Sequence, residues 1–191
     1  MLLAQSPVTF RHLSKKEGIS QSSVFAITQD DSGFLWFGTR DGLNKYDGYQ
    51  FTTYHHTSDA NSLVSNDIRT LYFDKKMNTL WIGTTDGLCR FRPEYGDFVN
   101  YKQLTDVHKN NLSIRTFYRD SKDRLWVGTN NGLFLHKAAT DSFIRFAAEK
   151  NNSNSLSGND VKVIHESPNG TLWLGTSSGL DTLEKNDKEV F

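Results

Sequence analysis

Residues Leu35–Leu43 read LWFGTRDGL, which can be written as the pattern L-W-x-G-T-x-x-G-L. The pattern returns at Leu80–Leu88, Leu125–Leu133 and Leu172–Leu180, and all four tryptophans of the chain occupy its second position. Successive tryptophans are 45, 45 and 47 residues apart. A long pattern at a near-constant spacing of this size predicts a repeat architecture, in which each repeat is one supersecondary unit packed on its neighbours.

Each repeat contains the residues of four short strands. Strand A is an apolar, β-rich run such as Val24–Ile27, and strand B carries the tryptophan. The T-x-x-G that follows matches a three-residue hairpin loop whose glycine adopts the left-handed conformation. Strands C and D of the first repeat then begin at Leu43 and Phe51. No segment keeps a helical period, so we expect helix to be nearly absent.

These features predict an all-β fold of β-propeller blades, made of four four-stranded antiparallel repeats of about 45 residues. We place the blades at about 24–54, 68–101, 114–146 and 161–191. The tryptophan should lie between neighbouring blades, and the glycine two residues later should leave room for the next sheet. The residues given structural roles, including the hairpin glycines, are Trp36, Trp81, Trp126, Trp173, Gly38, Gly83, Gly128, Gly175, Gly42, Gly87, Gly132 and Gly179.

The two ends of the repeat array predict how the propeller closes. Counting from Trp173, strand D of blade four would begin near Val190, whereas residues 8–13 are a β-prone run with no strands A to C before it. We expect this N-terminal strand to complete blade four by pairing with its strand C, and residues 1–7 to be disordered or the remnant of a signal peptide. Four blades could close as a monomer, or two chains could join head to tail into an eight-bladed ring. We favour the homodimer, because surfaces shaped for a larger ring should resist closing at four.

Composition excludes several classes of protein. The chain has 22 basic and 22 acidic side chains and no formal net charge, whereas nucleic-acid binders carry a concentrated basic excess. The single cysteine, Cys89, permits neither an intrachain disulfide nor a zinc site built of cysteines. No apolar stretch approaches the length of a membrane-spanning helix. We therefore expect no nucleic-acid partner and no membrane contact by this chain itself.

No catalytic, cofactor or metal site is predicted. Catalysis would need a nucleophile, base and orienting group, or paired carboxylates, and the candidates are scattered among the turns of the repeats. His55 and His56 are adjacent, so their side chains point to opposite faces of an extended chain. The acidic run Asp30–Gly33 lacks the spacing of a calcium-binding loop.

Propeller geometry indicates where a ligand would bind. The B–C hairpins and the D–A connections share one face of the disc, and strand A lines the central channel. Varied polar residues on a repeated scaffold are where specificity would lie, although Asp and Asn also occur in such turns for backbone reasons alone. The arginines early on strand A are stronger candidates, because a charge near the channel has fewer structural explanations. The candidate ligand-binding residues are Arg40, Asp41, Arg69, Asp86, Arg115, Asn130 and Asn131.

The repeat resembles that of the two-component regulator propeller family. The resemblance rests on Ile27–Trp36, ITQDDSGFLW, where strand A, an acidic turn and the tryptophan strand follow one another. Blade one continues the match through Asn44–Gly48 to Phe51 and Tyr54, and the segment from Phe10 to Val24 resembles the beginning of that family's periplasmic sensor region. The resemblance runs from about Val8 to the end of the chain.

The resemblance implies a piece of the N-terminal, periplasmic sensor region of a bacterial hybrid two-component histidine kinase. It implies that this chain contributes to sensing a glycan-derived oligosaccharide and to assembly of the sensor, without chemistry of its own, and that the full-length parent is a histidine kinase. One alternative is a protein-interaction propeller scaffold, against which the missing G-H…W-D signature of WD repeats counts. A propeller lyase or glycosidase is the other alternative, and it would need convergent acid and base groups.

Overall fold

A computed structural model describes residues 8–101, 104 and 111–183. The predicted all-β architecture of propeller blades is confirmed: the strands form four antiparallel sheets, and within each sheet the strands lie side by side in chain order. Three sheets have four strands and the last has three, because the residues predicted for strand D of blade four lie outside the described part of the chain. Within the described ranges, the helical element between Val8 and β1 is a short 3-10 turn at Lys15–Glu17.

The strands follow the predicted order A to D in each blade. Blade one contains β1 Val24–Gln29, β2 Leu35–Thr39, β3 Leu43–Tyr46 and β4 Phe51–Tyr54. Blade two contains β5 Ile68–Asp74, β6 Thr79–Thr84, β7 Leu88–Arg92 and β8 Asp97–Asn100. Blade three contains β9 Ile114–Arg119, β10 Leu125–Thr129, β11 Gly132–Lys137 and β12 Ser142–Phe146. Blade four contains β13 Val161–Glu166, β14 Leu172–Thr176 and β15 Leu180–Leu183.

The hairpin between strands B and C is held by the threonine of the repeat. In blade one the Thr39 hydroxyl donates to the carbonyl of Gly42 at 3.0 Å and accepts the backbone N–H of Asp41 at 3.0 Å. Gly42 has a φ of +95°, the left-handed conformation that the T-x-x-G spacing predicts. The same two hydrogen bonds recur around Thr84, Thr129 and Thr176.

The tryptophans of blades one and two pack against strand C of the next blade. The Trp36 ring centroid lies 5.0 Å from that of Phe91 in blade two, and the Trp81 centroid lies 5.1 Å from that of His136 in blade three. Trp36, Trp81 and Trp126 are at most 1% exposed, whereas Trp173 of blade four is 39% exposed. The hydrophobic core is therefore three separate layers, one between each pair of neighbouring blades.

The glycine two residues after the tryptophan lets neighbouring sheets approach closely. A Cβ atom on Gly83 would lie 2.6 Å from Thr70 Cγ2 and 2.7 Å from Cβ of Ile114, the first residue of strand A in blade three. Gly38 and Gly128 face Ile68 and Val161 in the same way. A small residue is needed at this position because the first β-branched residue of the next blade fills the space.

The acidic turn between strands A and B anchors the tryptophan. One Asp30 oxygen accepts the Trp36 indole N–H at 2.8 Å, while the other accepts backbone N–H groups of the turn. Asp120 holds Trp126 at the same distance. In blade two the corresponding turn is one residue longer, and the buried indole N–H of Trp81 has no hydrogen-bond partner among the described residues.

The predicted pairing of residues 8–13 with strand C of blade four stays a prediction. In the single chain residues 8–14 form no strand, and Val8 and Phe10 are more than 80% exposed. The inner strands β1, β5, β9 and β13 contact one another in turn. In the first and last blades of this series, Val24 and Trp173 are 38% and 39% exposed.

Replacing Gly83 with alanine tests the close approach of the blades. We expect Gly83→Ala to lower the free energy of unfolding by about 1–3 kcal/mol, because the new methyl group overpacks two β-branched side chains. The matched change is Gly175→Ala in blade four, where a Cβ would meet only Val163, a half-exposed residue of the same blade. Urea denaturation followed by circular dichroism measures both. Equal losses in the two variants would contradict this account of the glycine.

Cys89 gives a chemical test of the packing between blades one and two. Its side chain is fully buried in that layer, and burial raises the pKa of the thiol to about 12. Since the thiolate is the nucleophile, a raised pKa keeps the group neutral and inert near neutral pH. We expect no reaction of the native protein with a thiol reagent at about pH 8, and stoichiometric reaction after denaturation. Rapid modification of the folded chain would show that this layer is open.

Candidate functional site

The B–C hairpins and the D–A connections lie on one end of the blades, as propeller geometry predicts. The backbone N–H of Gly42 donates to the carbonyl of Asn66 at 2.8 Å, and that of Thr85 donates to the carbonyl of Asp67 at 3.1 Å. The same pairing joins Gly132 to Asn159 in the later blades. We call this end of the array the hairpin face.

Each strand A begins with a β-bulge at the hairpin face. The register between strands A and B shifts at this point in all four blades, so one residue of strand A has no partner on strand B. A bulge re-aims its side chain away from the regular ladder. The bulged residues are Phe25, Arg69, Arg115 and Lys162.

Two of the bulged residues, Phe25 and Arg69, form a cluster with Arg40 of the first B–C hairpin, between blades one and two. The Arg40 guanidinium carbon lies 5.2 Å from the centroid of the Phe25 ring, and that of Arg69 lies 5.1 Å from the same centroid. Phe25 is 42% exposed, so its ring remains accessible between the two cations. We call Phe25, Arg40 and Arg69 the arginine–phenylalanine cluster.

The two arginines of the cluster differ in how they are held. Arg69 donates to Asp67 at 2.8 Å, which fixes its guanidinium beside the ring. Arg40 is exposed, and within the described ranges no carboxylate pairs with it. A guanidinium that contacts an exposed aromatic ring and has its hydrogen-bond donors free is suited to accept a polar ligand.

Arg115, the third predicted arginine, lies apart from the cluster. Its Nε donates to Asp160 at 3.0 Å, in the connection that leads into blade four. Its side chain is 38% exposed. This ion pair spans two blades, so Arg115 has a structural role on the hairpin face as well as an accessible charge.

The predicted turn residues have backbone roles. Asn130 exchanges hydrogen bonds with Ser113 and donates to the carbonyl of Asn111, which engages both the oxygen and the nitrogen of its side chain. Asn131 is 9% exposed and is held by the guanidinium of Arg145 through two hydrogen bonds. These two asparagines stabilise the loops and offer little to a ligand.

The two aspartates are more accessible. Asp41 lies 3.5 Å from a ring nitrogen of His55, and its side chain is 54% exposed. Asp86 accepts a hydrogen bond from the neighbouring Thr85 hydroxyl at 2.9 Å. Both therefore place a carboxylate on the hairpin face, Asp41 one residue from Arg40.

Phe25 is the functional candidate that the sequence reasoning missed. The signal was available in the repeat itself: once the longer turn of blade two is allowed for, the bulge position holds a basic residue in three blades and an aromatic residue in blade one. An exposed aromatic residue at a position that is otherwise charged is a departure from the repeat without a packing explanation.

A buried polar network joins blades two and three at a different place. Asp141 accepts hydrogen bonds from Tyr101 at 2.8 Å and Arg90 at 3.3 Å, and it contacts His136 at 3.0 Å. Although burial raises the pKa of Asp141, the hydrogen bonds from His136 and Tyr101 and the charge of Arg90 outweigh it, so the pKa is lowered. The His136 side chain is 2% exposed. The network stabilises the contact between blades two and three.

The described ranges contain neither a metal site nor a membrane-spanning helix. Within 8–101 and 111–183, no group of three or more His, Cys, Asp or Glu side chains is arranged to hold a metal ion. In the same ranges, no helix has the length and apolar character needed to cross a membrane.

Comparison with known proteins agrees with the repeat geometry. The family model described as "Two component regulator propeller" matches residues 18–41, 108–131 and 155–178, each of which includes a D–A connection or a tryptophan strand. Three of the four repeats are thus similar to the two-component regulator propeller repeat. Blade two carries the same pattern around Trp81, so the described blades are all repeats of this type.

One histidine kinase and two solved structures illustrate what this chain is similar to. It is 40% identical over 184 residues to histidine kinase P4 of Formosa agariphila, and the match covers 96% of this chain and 13% of that protein. The extracellular domain of a hybrid two-component system of B. thetaiotaomicron is 23% identical, with a TM-score of 0.72 over 91% of this chain and 23% of that domain. Virginiamycin B lyase from Staphylococcus aureus is 14% identical, with a TM-score of 0.57 over 87% of this chain and 57% of the lyase. The last two likenesses show the fold alone.

The threonine of the hairpin loop sets the geometry of the hairpin face. Thr129 is fully buried, and its hydroxyl donates to the Gly132 carbonyl at 2.8 Å and accepts the Asn131 N–H at 2.9 Å. Thr129→Val keeps the volume but leaves buried backbone groups without partners, which should cost about 1–3 kcal/mol in the free energy of unfolding. Thr129→Ser keeps the hydroxyl and should cost less. Thermal and urea unfolding measure both, and a valine variant as stable as the serine variant would contradict the role of the hydroxyl.

Proposed function

We propose that this chain is part of the extracytoplasmic sensor region of a hybrid two-component histidine kinase and that it binds a ligand on its hairpin face. The arginine–phenylalanine cluster is the observation that carries the proposal. Similarity to the two-component regulator propeller repeat and the match to histidine kinase P4 support the sensor role. The chain spans about one eighth of that relative's length, so kinase activity would reside elsewhere in such a protein.

The chemistry of the cluster favours an oligosaccharide derived from a glycan. A sugar ring has an apolar C–H face that packs on an exposed aromatic side chain such as Phe25. Its hydroxyl groups accept hydrogen bonds from guanidinium donors such as those of Arg40 and donate to carboxylates such as that of Asp41. The cluster and Asp41 supply all three kinds of contact within one hairpin and its neighbouring bulges.

In this role the blades bind and position the ligand without chemistry of their own. The periplasm is the compartment in which a sensor of this kind would meet glycan fragments. Bound ligand would touch Arg40 of blade one and Arg69 of blade two, so it would bridge two blades and bias their relative packing. A change in blade packing is a means by which binding could reach the rest of a sensor.

Calorimetry with a panel of neutral and acidic oligosaccharides tests the proposal. We expect one class to bind the folded chain, and we expect Arg40→Gln and Phe25→Leu each to weaken that binding about tenfold or more, the effect of losing roughly 1.4 kcal/mol. The matched control is Lys162→Gln, which changes the same bulge position of blade four, away from the cluster. This control should bind like the unaltered chain.

Two outcomes would overturn the proposal. The first is a folded chain that binds no oligosaccharide of the panel, which would favour the alternative of a protein-interaction scaffold. The second is binding that survives in both cluster variants, which would place the ligand elsewhere on the blades.

A further inference from the structure

A lysine of blade one has no ionic partner, although it lies in the contact between blades one and two. Lys45 is opposite Trp36 in the register of strands B and C, so its side chain is on the face of blade one that packs on blade two. Its ammonium nitrogen lies 3.7 Å from the centroid of the Phe34 ring and 5.3 Å from that of Trp36. Among the residues that the structure describes, no carboxylate forms an ion pair with Lys45.

The next contact along the array shows how a cation at this position is paired. Arg90 is opposite Trp81 in blade two, and it donates to Asp141 at 3.3 Å. Asp141 belongs to the turn between strands C and D of blade three, so this ion pair joins two blades. Blade three has the uncharged Leu135 at the corresponding position. Of these three residues, Lys45 is the one with a charge and no counter-charge.

Alignment of the turns between strands C and D identifies the missing partner. Residues 92–97 of blade two and 137–142 of blade three form turns of equal length, and Gly96 stands where blade three has Asp141. Both residues have a left-handed backbone, with a φ of +67° at Gly96 and +45° at Asp141. Blade two therefore keeps the turn that presents a carboxylate to the preceding blade, but it has no side chain at that position.

A cavity of about 200 Å³ lies beside Lys45, and we call it the lysine cavity. An apolar cavity of about 150 Å³ holds a benzene ring, so this one has room for a small ring that bears a carboxylate. Besides Lys45, its walls include four aromatic side chains, two from each blade: Phe34, Trp36, Phe73 and Phe91.

The polar groups of the lysine cavity favour a ligand that accepts hydrogen bonds. Asn78 also lines the cavity, and within the described part of the chain its side-chain amide has no hydrogen-bond partner. The carboxylate on the wall, Asp30, has both oxygens engaged, because it accepts the indole N–H of Trp36 and two backbone N–H groups of its own turn. The cavity thus offers free donors, whereas its carboxylate is already used within blade one.

We propose that the lysine cavity is a second ligand site, which binds a small carboxylate whose body is an apolar ring. The carboxylate accepts hydrogen bonds from Lys45 and takes the place that Asp141 has between blades two and three. The ring packs among the aromatic walls. Bound in this way, the ligand contacts blades one and two together and stabilises their contact.

This site is separate from the arginine–phenylalanine cluster. The lysine cavity is lined by the turns between strands A and B of both blades and by the turn between strands C and D of blade two. In an antiparallel blade these turns lie at the end opposite to the hairpin face. The proposal therefore does not rest on oligosaccharide binding at that face.

Titration with benzoate and with benzamide tests the proposal. The two probes have nearly the same shape and differ in charge, so we expect benzoate to bind about tenfold or more tightly than benzamide. Benzoate should shift the indole N–H signal of Trp36 in a two-dimensional NMR spectrum, because this side chain forms part of the cavity wall. The indole signal of Trp126, which is in the contact between blades three and four, should not shift.

Two variants of Lys45 separate its charge from its packing. Lys45→Met keeps an unbranched side chain without the charge and should weaken benzoate binding about tenfold or more. Lys45→Arg keeps a cation and should retain the binding. The matched control is Arg40→Gln, which removes an exposed cation of the hairpin face and should bind benzoate like the unaltered chain. Circular dichroism checks that each variant is folded.

A variant of Gly96 supplies the missing carboxylate within the chain. Gly96→Asp places this group where blade three has Asp141, on a left-handed backbone that Asp141 also adopts. A Cβ atom on Gly96 would meet no other atom within 4 Å, so the turn has room for it. We expect the new carboxylate to pair with Lys45 and to abolish benzoate binding. Gly96→Asn has the same shape without the charge and should retain most of the binding.

Four results would contradict the assignment of the lysine cavity. Absence of benzoate binding to the folded chain, or equal affinities for benzoate and benzamide, would mean that the cavity does not select an anion. Binding that survives Lys45→Met would place the probe elsewhere. Binding unaffected by Gly96→Asp would show that Asp141 is not the counterpart of the ligand carboxylate. None of these results bears on ligand binding at the hairpin face, which is tested with other variants.

Discussion

The contact between a tryptophan-bearing strand and the next blade is the constraint on which the rest of the structure depends. A wide indole ring and a glycine alternate on one side of strand B, so the neighbouring sheet must bring an aromatic or aliphatic side chain to the ring and a β-branched residue to the glycine. Burial of Trp36, Trp81 and Trp126 removes about 150–250 Å² from water for each ring. The blade spacing, the position of strand A and the exposure of the hairpin face all follow from this contact.

The hairpin residues that we propose for binding can vary because this contact does not involve them. The threonine and glycine of each hairpin hold the loop through backbone groups, which leaves the two residues between them free to differ among blades. Arg40 and Asp41 stand at these positions in blade one, and Asn130 and Asn131 stand there in blade three. The same loop geometry therefore exposes two charged side chains in blade one, whereas in blade three its two side chains hold neighbouring loops.

The blades and their strands could be predicted from the sequence because the signal was periodic and local. The roles of single polar residues could not, because they depend on partners from other repeats. Asn131 resembles a ligand-binding residue in sequence until Arg145 is seen to hold it. In sequence, Phe25 resembles an ordinary core residue of strand A. In the structure it lies at the bulge, where its ring contacts two arginines. A β-prone composition likewise predicts only a local preference, and residues 8–13 form no strand in the single chain.

The interfaces between blades differ in their contacts, although the same sequence repeat forms all of them. Aromatic contacts join blades one and two, and they also join blades two and three, where ion pairs of Arg119 with Asp74 and of Lys76 with Asp123 are added. The Lys76 pair is exposed and is screened by salt, while aromatic packing is not. In a linear array, stability is a sum of terms for units and interfaces. A rise in ionic strength therefore weakens the ionic part of the contact between blades two and three and leaves the aromatic packing of both contacts unchanged.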